Sequence, residues 1–482
     1  MEIEKLIEYI NSKGNLVKEN TDFIKDDLSE RINEISTNEK SYLINNSNSP
    51  FNIISNIYNK ETLLYLLDIK DFNDLYVKIY DFIDEIHKTR YTIKDKIKII
   101  TLFNKISALM PKSRKGIPKC QEVVMFKPEL NRLPLSMITN AYLHTYVPQK
   151  DYRNVEICDI QILNNEECLL KNNDFYNCLT HLYNSNEEKL PIAICIGGNP
   201  IYSLCASMQL PEYIDKYMFA AFLLNERVYM SDCLTQDIQI PSDCDIVIEG
   251  FLNKKDKDPI VHVTCITHKK EPYLPISLSM SNSINEQIDK ILLQLSGLNE
   301  IEDIYYPINN HKSKIAIVKI RNDYPTQAFK IAHAFWGSNQ MMLNKILIVT
   351  DNCDIRDSSS IEYAIKKYYY PKKDTLFSRG LGQSGKICID ATSKYKTIIN
   401  DNQKNSLIKN DKGNKGDKGD KGDKSEFICG NLKILTNYKD LVSPNNLLDV
   451  LGIISENADP IKDSSFVKDN DNEILIIDAS II

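Results

Sequence analysis

The sequence predicts a mixed α/β and β fold: an N-terminal α/β region, a β-rich centre and an alternating α/β region after it. Three observations carry this. Helical periodicity runs through residues 1 to about 110, as in Glu61-Thr62-Leu63-Leu64-Tyr65-Leu66-Leu67 and Tyr80-Asp81-Phe82-Ile83-Asp84-Glu85-Ile86. From Cys120 to about Val263, short strand-like runs are separated by Pro, Asn and Gly clusters, the pattern of a barrel or sandwich. After about Ile260 strands and helices alternate, which argues an open α/β sheet. At 482 residues the chain exceeds one ordinary core, so two or three domains are expected.

In the first region, Ser41-Tyr42-Leu43-Ile44-Asn45 and Asn52-Ile53-Ile54-Ser55-Asn56 read as short strands divided by Asn-Ser-Pro turn chemistry. Lys112-Ser113-Arg114-Lys115-Gly116 reads as a basic, solvated loop. The central strands are Glu122 to Met125, Val155 to Ile162, Leu190 to Ile196 and Asp245 to Leu252. The third of these stops at Gly197-Gly198-Asn199-Pro200, a tight turn and helix start, and a second amphipathic segment follows from Pro211 to Tyr217. Further on, strands Val261 to Ile266 and Ile315 to Ile320 flank a helix from about Asn285 to Leu295. A helix from Thr326 to about Gly337, a strand from Lys345 to Asp351 and a helix from Ser360 to Tyr370 complete this part.

Gly413 to Lys424 has glycine every third residue, but four triplets without proline cannot hold a triple helix, so the stretch reads as a solvated linker. Beyond it, apolar pieces such as Ile474-Leu475-Ile476-Ile477 would not stay in water. They predict a tail that docks on its own chain or on a partner.

The composition, 42% hydrophobic and 26% charged, is that of a soluble globular protein. A net charge of −7 offers no basic face for phosphate, which argues against a nucleic-acid partner. No signal-peptide core opens the sequence and no apolar run reaches bilayer length, so the expectation is a cytoplasmic protein that does not span a membrane. The 12 cysteines contain no Cys-x-x-Cys pair and read as free thiols. His262, Cys265 and His268 are good zinc ligands by type, yet on a strand residues three apart point to opposite faces, which argues against a shared metal. Gly380, Gly382 and Gly385 match Gly-x-Gly-x-x-Gly in spacing. Without a strand before and a helix after, the run lacks the dinucleotide context, although Lys386 behind it could donate to a phosphate.

An ordered set of segments carries a family resemblance. It comprises Cys120-Gln121-Glu122-Val123-Val124, Arg153-Asn154-Val155 with Gln161, Ile194 to Pro200, Pro211-Glu212 with Asp215 and Tyr217, and Ile238 to Gly250. His262 to His268, Tyr324-Pro325, Phe335-Trp336-Gly337-Ser338, Gly385-Lys386 and Ile389-Asp390-Ala391-Thr392 follow in order. Together, over about residues 40 to 395, they resemble the UbiD-like carboxy-lyases, prenylated-flavin-dependent decarboxylases.

The resemblance implies an N-terminal α/β domain over 1–118, a central split β-barrel resembling flavin reductases over 119–260, and a C-terminal α/β domain over 261–400. A Gly-Asp-Lys linker over 401–425 and a tail over 426–482 would complete the chain. It also implies prenylated FMN held through a divalent metal. The residues carried over are Asn154 as a metal ligand and Asn154, Gly197, Gly198, Pro200 and Lys386 for the cofactor. The reaction implied is non-oxidative decarboxylation of an aromatic or polyprenyl-hydroxybenzoate-type acid in quinone biosynthesis. Partners implied are a small aromatic acid and either further copies of the chain or a homologous subunit.

The chain departs from the family pattern at four places. The family's Asn-x-Gly-x-Tyr-Arg-x-Gln reads Asn154-Val155-Glu156-Ile157-Cys158-Asp159-Ile160-Gln161, which puts Glu156 at the glycine and reverses the charge of the arginine at Asp159. Its Pro-Glu-x-x-Asp-Glu-Tyr becomes Pro211 to Tyr217 with Lys216 at the second glutamate, and an ammonium cannot coordinate a cation. The loop with catalytic acids after Glu249-Gly250 is missing. The family's histidine, arginine and paired glycines have no match in Asn173 to Cys178, with His181 nearby. The alternative is therefore a catalytically inactive homologue acting as scaffold or regulatory subunit. Lys216 itself reads either as an exposed helix lysine or as a cation for a phosphorylated or acidic small molecule.

Overall fold

The computed structural model describes residues 3–21, 31, 35, 40–46, 49–57, 59–88, 105–147, 152–171, 187–208, 210, 214–276, 282–307, 315–337, 345–379, 385–393, 425–436, 447, 459, 462–469 and 472–478. The chain forms two compact units, residues 1–281 and, apart from 309–311, residues 282–482.

In the first unit, α1 (Ile3–Ser12), β1 (Leu16–Thr21), β2 (Ser41–Asn46), β3 (Asn52–Ser55), α2 (Lys60–Leu67) and α3 (Phe72–Lys88) come first. Then follow β4 (Lys112–Ser113), β5 (Val123–Met125), β6 (Met137–Val147), β7 (Tyr152–Ile162), β8 (Glu167–Leu170), β9 (Lys189–Ile196), α4 (Pro200–Ser207) and α5 (Lys216–Leu224). β10 (Tyr229–Asp232), β11 (Gln239–Pro241), β12 (Ile246–Asn253), β13 (Ile260–His268) and β14 (Tyr273–Ile276) end the unit.

Its centre is a ring. β12, β9, β6, β7, β8 and β13 pair in that order, each antiparallel to the next, and β13 returns to β12, so six strands close a barrel. Closure leaves no free edges within the ring. Inside lie Leu143, Cys158, Ile160, Ile194, Ile196, Ile246, Ile248 and Val261, continuous with Ile44, Phe51 and Ile53 of the sheet β1-β2-β3-β14. The alternation seen in the sequence is the inside-outside alternation of this wall. α4 packs on β6 and β7 from outside, and α5 packs on α4.

The strand expected to begin the third region, Val261 to Ile266, is thus part of β13 and belongs to the barrel. A short turn pairs it with β12, so the local hairpin outweighs the strand-helix alternation that suggested a new domain. β14 likewise joins the N-terminal sheet, parallel to β3. The basic stretch at 112 is not wholly a loop, since Lys112 and Ser113 pair in parallel with Tyr229 and Met230. β6 escapes a pattern reading because Thr139, Asn140, His144 and Thr145 interrupt its apolar positions.

The second unit contains α6 (Asn282–Leu295), β15 (Ile301–Tyr305), β16 (Ile315–Ile320), α7 (Gln327–Gly337), β17 (Ile346–Thr350), α8 (Ser358–Tyr368), α9 (Pro371–Asp374), β18 (Thr375–Ser378) and β19 (Lys386–Asp390). The sheet order is β15-β16-β17-β19-β18, parallel at its centre and antiparallel at both edges. α7 covers one face through Ile331 and Phe335, and α8 covers the other through Ile361 and Ile365. Past residue 424 come β20 (Ser425–Cys429), β21 (Leu432–Thr436), β22 (Ser464–Asp469) and β23 (Asn472–Asp478), a sheet of order β20-β21-β23-β22. Its Cys429, Leu432, Ile434, Leu475 and Ile477 share a core with Ile346, Ile348, Ile361 and Ile389, so this tail docks on its own chain. Among the described residues no helix is long and apolar enough to cross a membrane.

Candidate functional site

The turn after β9 is where the sequence placed cofactor contacts. Gly197 and Gly198 have φ of 74° and 81°, a left-handed conformation that favours glycine. Asn199 caps α4 by accepting from the Ile201 N–H at 3.0 Å, and Pro200 occupies the first helical turn, its fixed φ suited to that position. The turn is filled from within the chain. Asp245, fully buried, accepts the Gly198 N–H at 2.5 Å through Oδ2, while its Oδ1 accepts the Tyr273 N–H at 3.2 Å and pairs with Lys269 Nζ at 3.1 Å. Burial pushes this carboxyl up to about 6 despite the lysine beside it. A Cβ on Gly197 would stand 2.4 Å from Asp245 Oδ2.

A second group lies along β7 and the start of α5. Asp215 caps α5, accepting the Tyr217 and Met218 N–H groups, both at 2.9 Å. It also receives Arg153 Nη1 at 3.1 Å, while Arg153 Nη2 reaches Gln239 Oε1 at 3.3 Å and the guanidinium lies over the Tyr217 ring. Asn154 turns its amide nitrogen to Glu156 Oε1 at 3.0 Å and Thr145 Oγ1 at 3.3 Å. Asp159, at the position matching the family arginine, accepts the Asn140 N–H at 3.3 Å, at a bulge in β6 where Asn140 has φ 58°. Lys216 is half-buried and donates from Nζ to the Ala206 carbonyl at 2.6 Å. Desolvation pulls its pKa down to about 8, opposed by the Glu156 charge. It is neither an exposed helix lysine nor a free cation: it ties α5 to the last turn of α4.

Behind both groups, on the outer face of β6 and β9, sits a buried aromatic layer. His144 Nε2 and Tyr217 Oη are 2.6 Å apart with stacked rings, and Tyr202 meets Tyr217 edge to face. Tyr142 donates to the Gly197 carbonyl at 2.6 Å. Burial pulls the His144 pKa down to about 3, so its imidazole is neutral.

The hairpin β12–β13 is the third part. Glu249 is fully buried and accepts from the Leu234 N–H at 2.9 Å, the Thr235 N–H at 2.6 Å and Thr235 Oγ1 at 2.8 Å, so it anchors a loop. Leu252 pairs with Val261, and only residues 254–259 join the two strands. Within β13, His262 meets Asp256 at 2.8 Å and Glu167 at 3.3 Å, Cys265 is buried, and His268 donates from Nδ1 to the Lys269 carbonyl at 2.6 Å, so the three have separate surroundings.

Of the five cofactor residues read from the sequence, Asn154, Gly197, Gly198 and Pro200 lie in the first unit and Lys386 in the second. Asn154 stands level with Thr145 and Ile192 across the wall, five positions before Gly197. At roughly 3.3 Å per residue that is about 16 Å along the strands, so the structure does not bring Asn154 and the glycine turn together. Lys386 opens β19, buried, and desolvation pulls its pKa down to about 8. The preceding glycine run is preceded by β18 and followed by β19, a strand rather than a helix, so it is not a dinucleotide loop. Gly380, Gly382, His181, Asn173 to Cys178, Pro211, Glu212, Ser338 and the 401–424 linker lie outside the described residues. Asp245 and Lys269, which fill the turn, were missed because each looks ordinary in its own segment. Their sequence signal is a charge just before β12 and another just after β13.

A closed antiparallel barrel in the first unit and a mixed α/β sheet in the second define the class, that of the UbiD-type decarboxylase fold. Residues 113–282 match the 3-octaprenyl-4-hydroxybenzoate carboxy-lyase Rift-related domain and residues 282–391 the C-terminal domain of the same carboxy-lyase. The chain belongs to the UbiD-like carboxy-lyase family. Among solved structures it is similar to an evolved dimeric form of the UbiD-class enzyme HmfF from Pelotomaculum thermopropionicum in complex with prFMN, with a TM-score of 0.61 and 18% identity over 81% of this chain and 94% of the other. It is also similar to the vanillic acid decarboxylase of Sedimentibacter hydroxybenzoicus, with a TM-score of 0.60 and 16% identity over 87% and 96%. By sequence, an uncharacterized protein of Aquifex aeolicus is 27% identical over 71% of this chain and 81% of its own length. One from Helicobacter pylori is 31% identical over 48% of this chain, a match spanning only 44% of that relative.

Proposed function

We propose that this chain is a UbiD-type carboxy-lyase homologue that keeps the decarboxylase scaffold but no longer supports the family's cofactor-borne decarboxylation. It then serves as a scaffold or regulatory subunit, as a homo-oligomer or beside a homologous active partner. The observation that carries this is the surroundings of Asn154. Among the described residues a divalent ion there would find an amide already turned to Glu156 and to the Thr145 hydroxyl and one carboxylate, with Lys216, tied to the Ala206 carbonyl, standing where the family pattern has its second glutamate. Hard divalent ions need about six oxygen ligands and are repelled by a fixed positive charge. The residues present do not fit the divalent metal that the family resemblance implies. The negative charge of Asp159 and the six-residue turn after Asn253 point the same way.

Native mass spectrometry of the full chain from cells supplied with prenylated FMN tests this, together with carbon dioxide release from aromatic acids. Protein without flavin mass and without carbon dioxide release is the expected result. Bound flavin with turnover overturns it. Pull-down that recovers no other protein, with a monodisperse homo-oligomer, removes the version with an active partner.

The second reading is an active non-oxidative decarboxylase of an aromatic or polyprenyl-hydroxybenzoate-type acid in quinone biosynthesis, working in the cytoplasm. It is favoured by the likeness to a prFMN-bound enzyme over 81% of this chain. The Gly197 turn would then contribute to the cofactor site. The same measurement decides between the two.

A further inference from the structure

Residues 105–121 hold five lysines and arginines and no aspartate or glutamate, in a chain whose net charge is −7. The fold holds this stretch at both ends. Lys112 and Arg114 donate their N–H groups to the Val228 and Met230 carbonyls at 3.1 and 2.8 Å, and the Cys120 N–H donates to the Ser242 carbonyl at 3.2 Å. Yet every residue from Lys112 to Ile117 is exposed, and at Gly116, with φ 86°, an added Cβ would meet nothing within 4 Å. Ile117, 83% exposed, is the most exposed large apolar side chain among the described residues. Tyr229, 48% exposed, stands beside Lys112 in the parallel pairing of β4 with β10, and Met110, 50% exposed, comes two residues earlier. The carboxylates bordering the stretch are engaged: Glu122 accepts the Lys270 N–H at 3.0 Å, and Asp232 accepts the Gln239 amide at 3.0 Å.

Apolar side chains that project among cations suit one kind of partner. An anionic bilayer takes the apolar ends below its headgroups and pairs the ammonium and guanidinium groups with its lipid phosphates. A nucleic acid would gain nothing from Ile117, which offers no face for a base to stack on. We infer that the stretch 105–121 docks the first unit onto an anionic membrane surface. The contact is peripheral and goes beyond the reading of the chain's chemistry, since it holds whether or not a flavin binds. A few cations and one or two apolar side chains make it reversible and sensitive to salt.

The test is sedimentation of the full-length protein with vesicles of phosphatidylcholine alone, and of phosphatidylcholine and phosphatidylglycerol in equal parts. Binding to the second and not to the first, weakening as salt rises, is expected. Each cation near such a surface is worth about fivefold in partitioning, so Lys112→Gln, Arg114→Gln and Lys115→Gln together should weaken binding about a hundredfold. Ile117→Ser should weaken it about tenfold and leave its salt dependence as in wild type. These four side chains are exposed, so melting temperatures should not move. Lys254→Gln, Lys255→Gln and Lys257→Gln, in the turn between β12 and β13, remove the same charge elsewhere and should leave binding close to that of wild type. Failure to bind phosphatidylglycerol vesicles, equal binding to both vesicle types, or equal losses from the two triple variants overturns the inference. Binding indifferent to Ile117→Ser, with polyuridylate displacing the protein from the vesicles, marks a general polyanion site and overturns it as well.

Discussion

Alanine at Gly197 separates a cofactor-binding turn from a structural one, and Gly14 supplies the control. The two glycines share nearly the same backbone, φ 74° and 73°. Around Gly14 a Cβ would meet nothing within 4 Å, whereas at Gly197 it would stand 2.4 Å from Asp245 Oδ2 and 2.8 Å from Asp245 Cβ. Gly14→Ala therefore pays only the left-handed conformation, about 1–2 kcal/mol. Gly197→Ala pays that and also expels the Asp245 carboxylate from the Gly198 N–H and from Lys269. Separating one partner of a buried pair costs about 3–5 kcal/mol, so the total is about 4–7 kcal/mol. The assay is urea unfolding followed by hydrogen exchange in peptides from β6, β9 and β12, which report the barrel alone. Equal losses in the two variants would refute the reasoning. So would a Gly197→Ala protein of unchanged barrel protection that had lost a bound flavin, because the turn would then serve the cofactor and not the fold.

Three further outcomes are expected. Glu249→Gln keeps the shape but can accept at only one oxygen; with three donors converging on a buried carboxylate, the 234–235 loop should lose exchange protection and the barrel about 2–4 kcal/mol in urea unfolding. Asp289 receives the buried Tyr306 hydroxyl at 2.7 Å, and burial, then the Glu286 charge, push it up to about 7. A carboxyl whose folded pKa exceeds its ordinary 3.8 gives stability that is complete below that value and lost as pH rises through 7. The second unit should therefore have a higher urea midpoint at pH 5 than at pH 8, and Asp289→Asn should flatten that difference; an unchanged slope would contradict the assignment. Leu475→Ala, in a fully buried position of the tail sheet, should cost the second unit about 2–5 kcal/mol by the same measurement and leave barrel peptides unaffected.

What the sequence could show was whatever is written locally. The runs Val155 to Ile162, Leu190 to Ile196 and Asp245 to Leu252 declare strands because their buried positions are continuous or alternate, and all three are barrel staves. Gly197-Gly198-Asn199-Pro200 declares a turn and a helix start for equally local reasons, left-handed φ, a cap and a proline. What fills that turn is not local: Asp245 arrives from the start of β12 and Lys269 from just past β13. The charge change at Lys216 was visible as a lost ligand, but the Ala206 carbonyl that receives it became visible only when α4 and α5 were packed together. β6 was hidden by its own chemistry, since His144, buried and neutral against Tyr217, reads as polar in a string of letters. The ring closure of β13 on β12 was hidden by the rhythm of helices that follows it.

The sheet beyond residue 424 changes what a cut in the glycine repeat would mean. As its apolar composition predicts, the segment past the repeat docks: Leu432, Ile434, Leu475 and Ile477 occupy the same interior as Ile348 and Ile389. A protein shortened at the repeat would expose the α8 side of its parallel sheet to water and should be recovered as aggregate. A protein nicked there and left whole should stay together, and the severed C-terminal piece, added back to the shortened one, should restore solubility. The second unit is thus a natural candidate for fragment complementation, with the repeat as the place to break it.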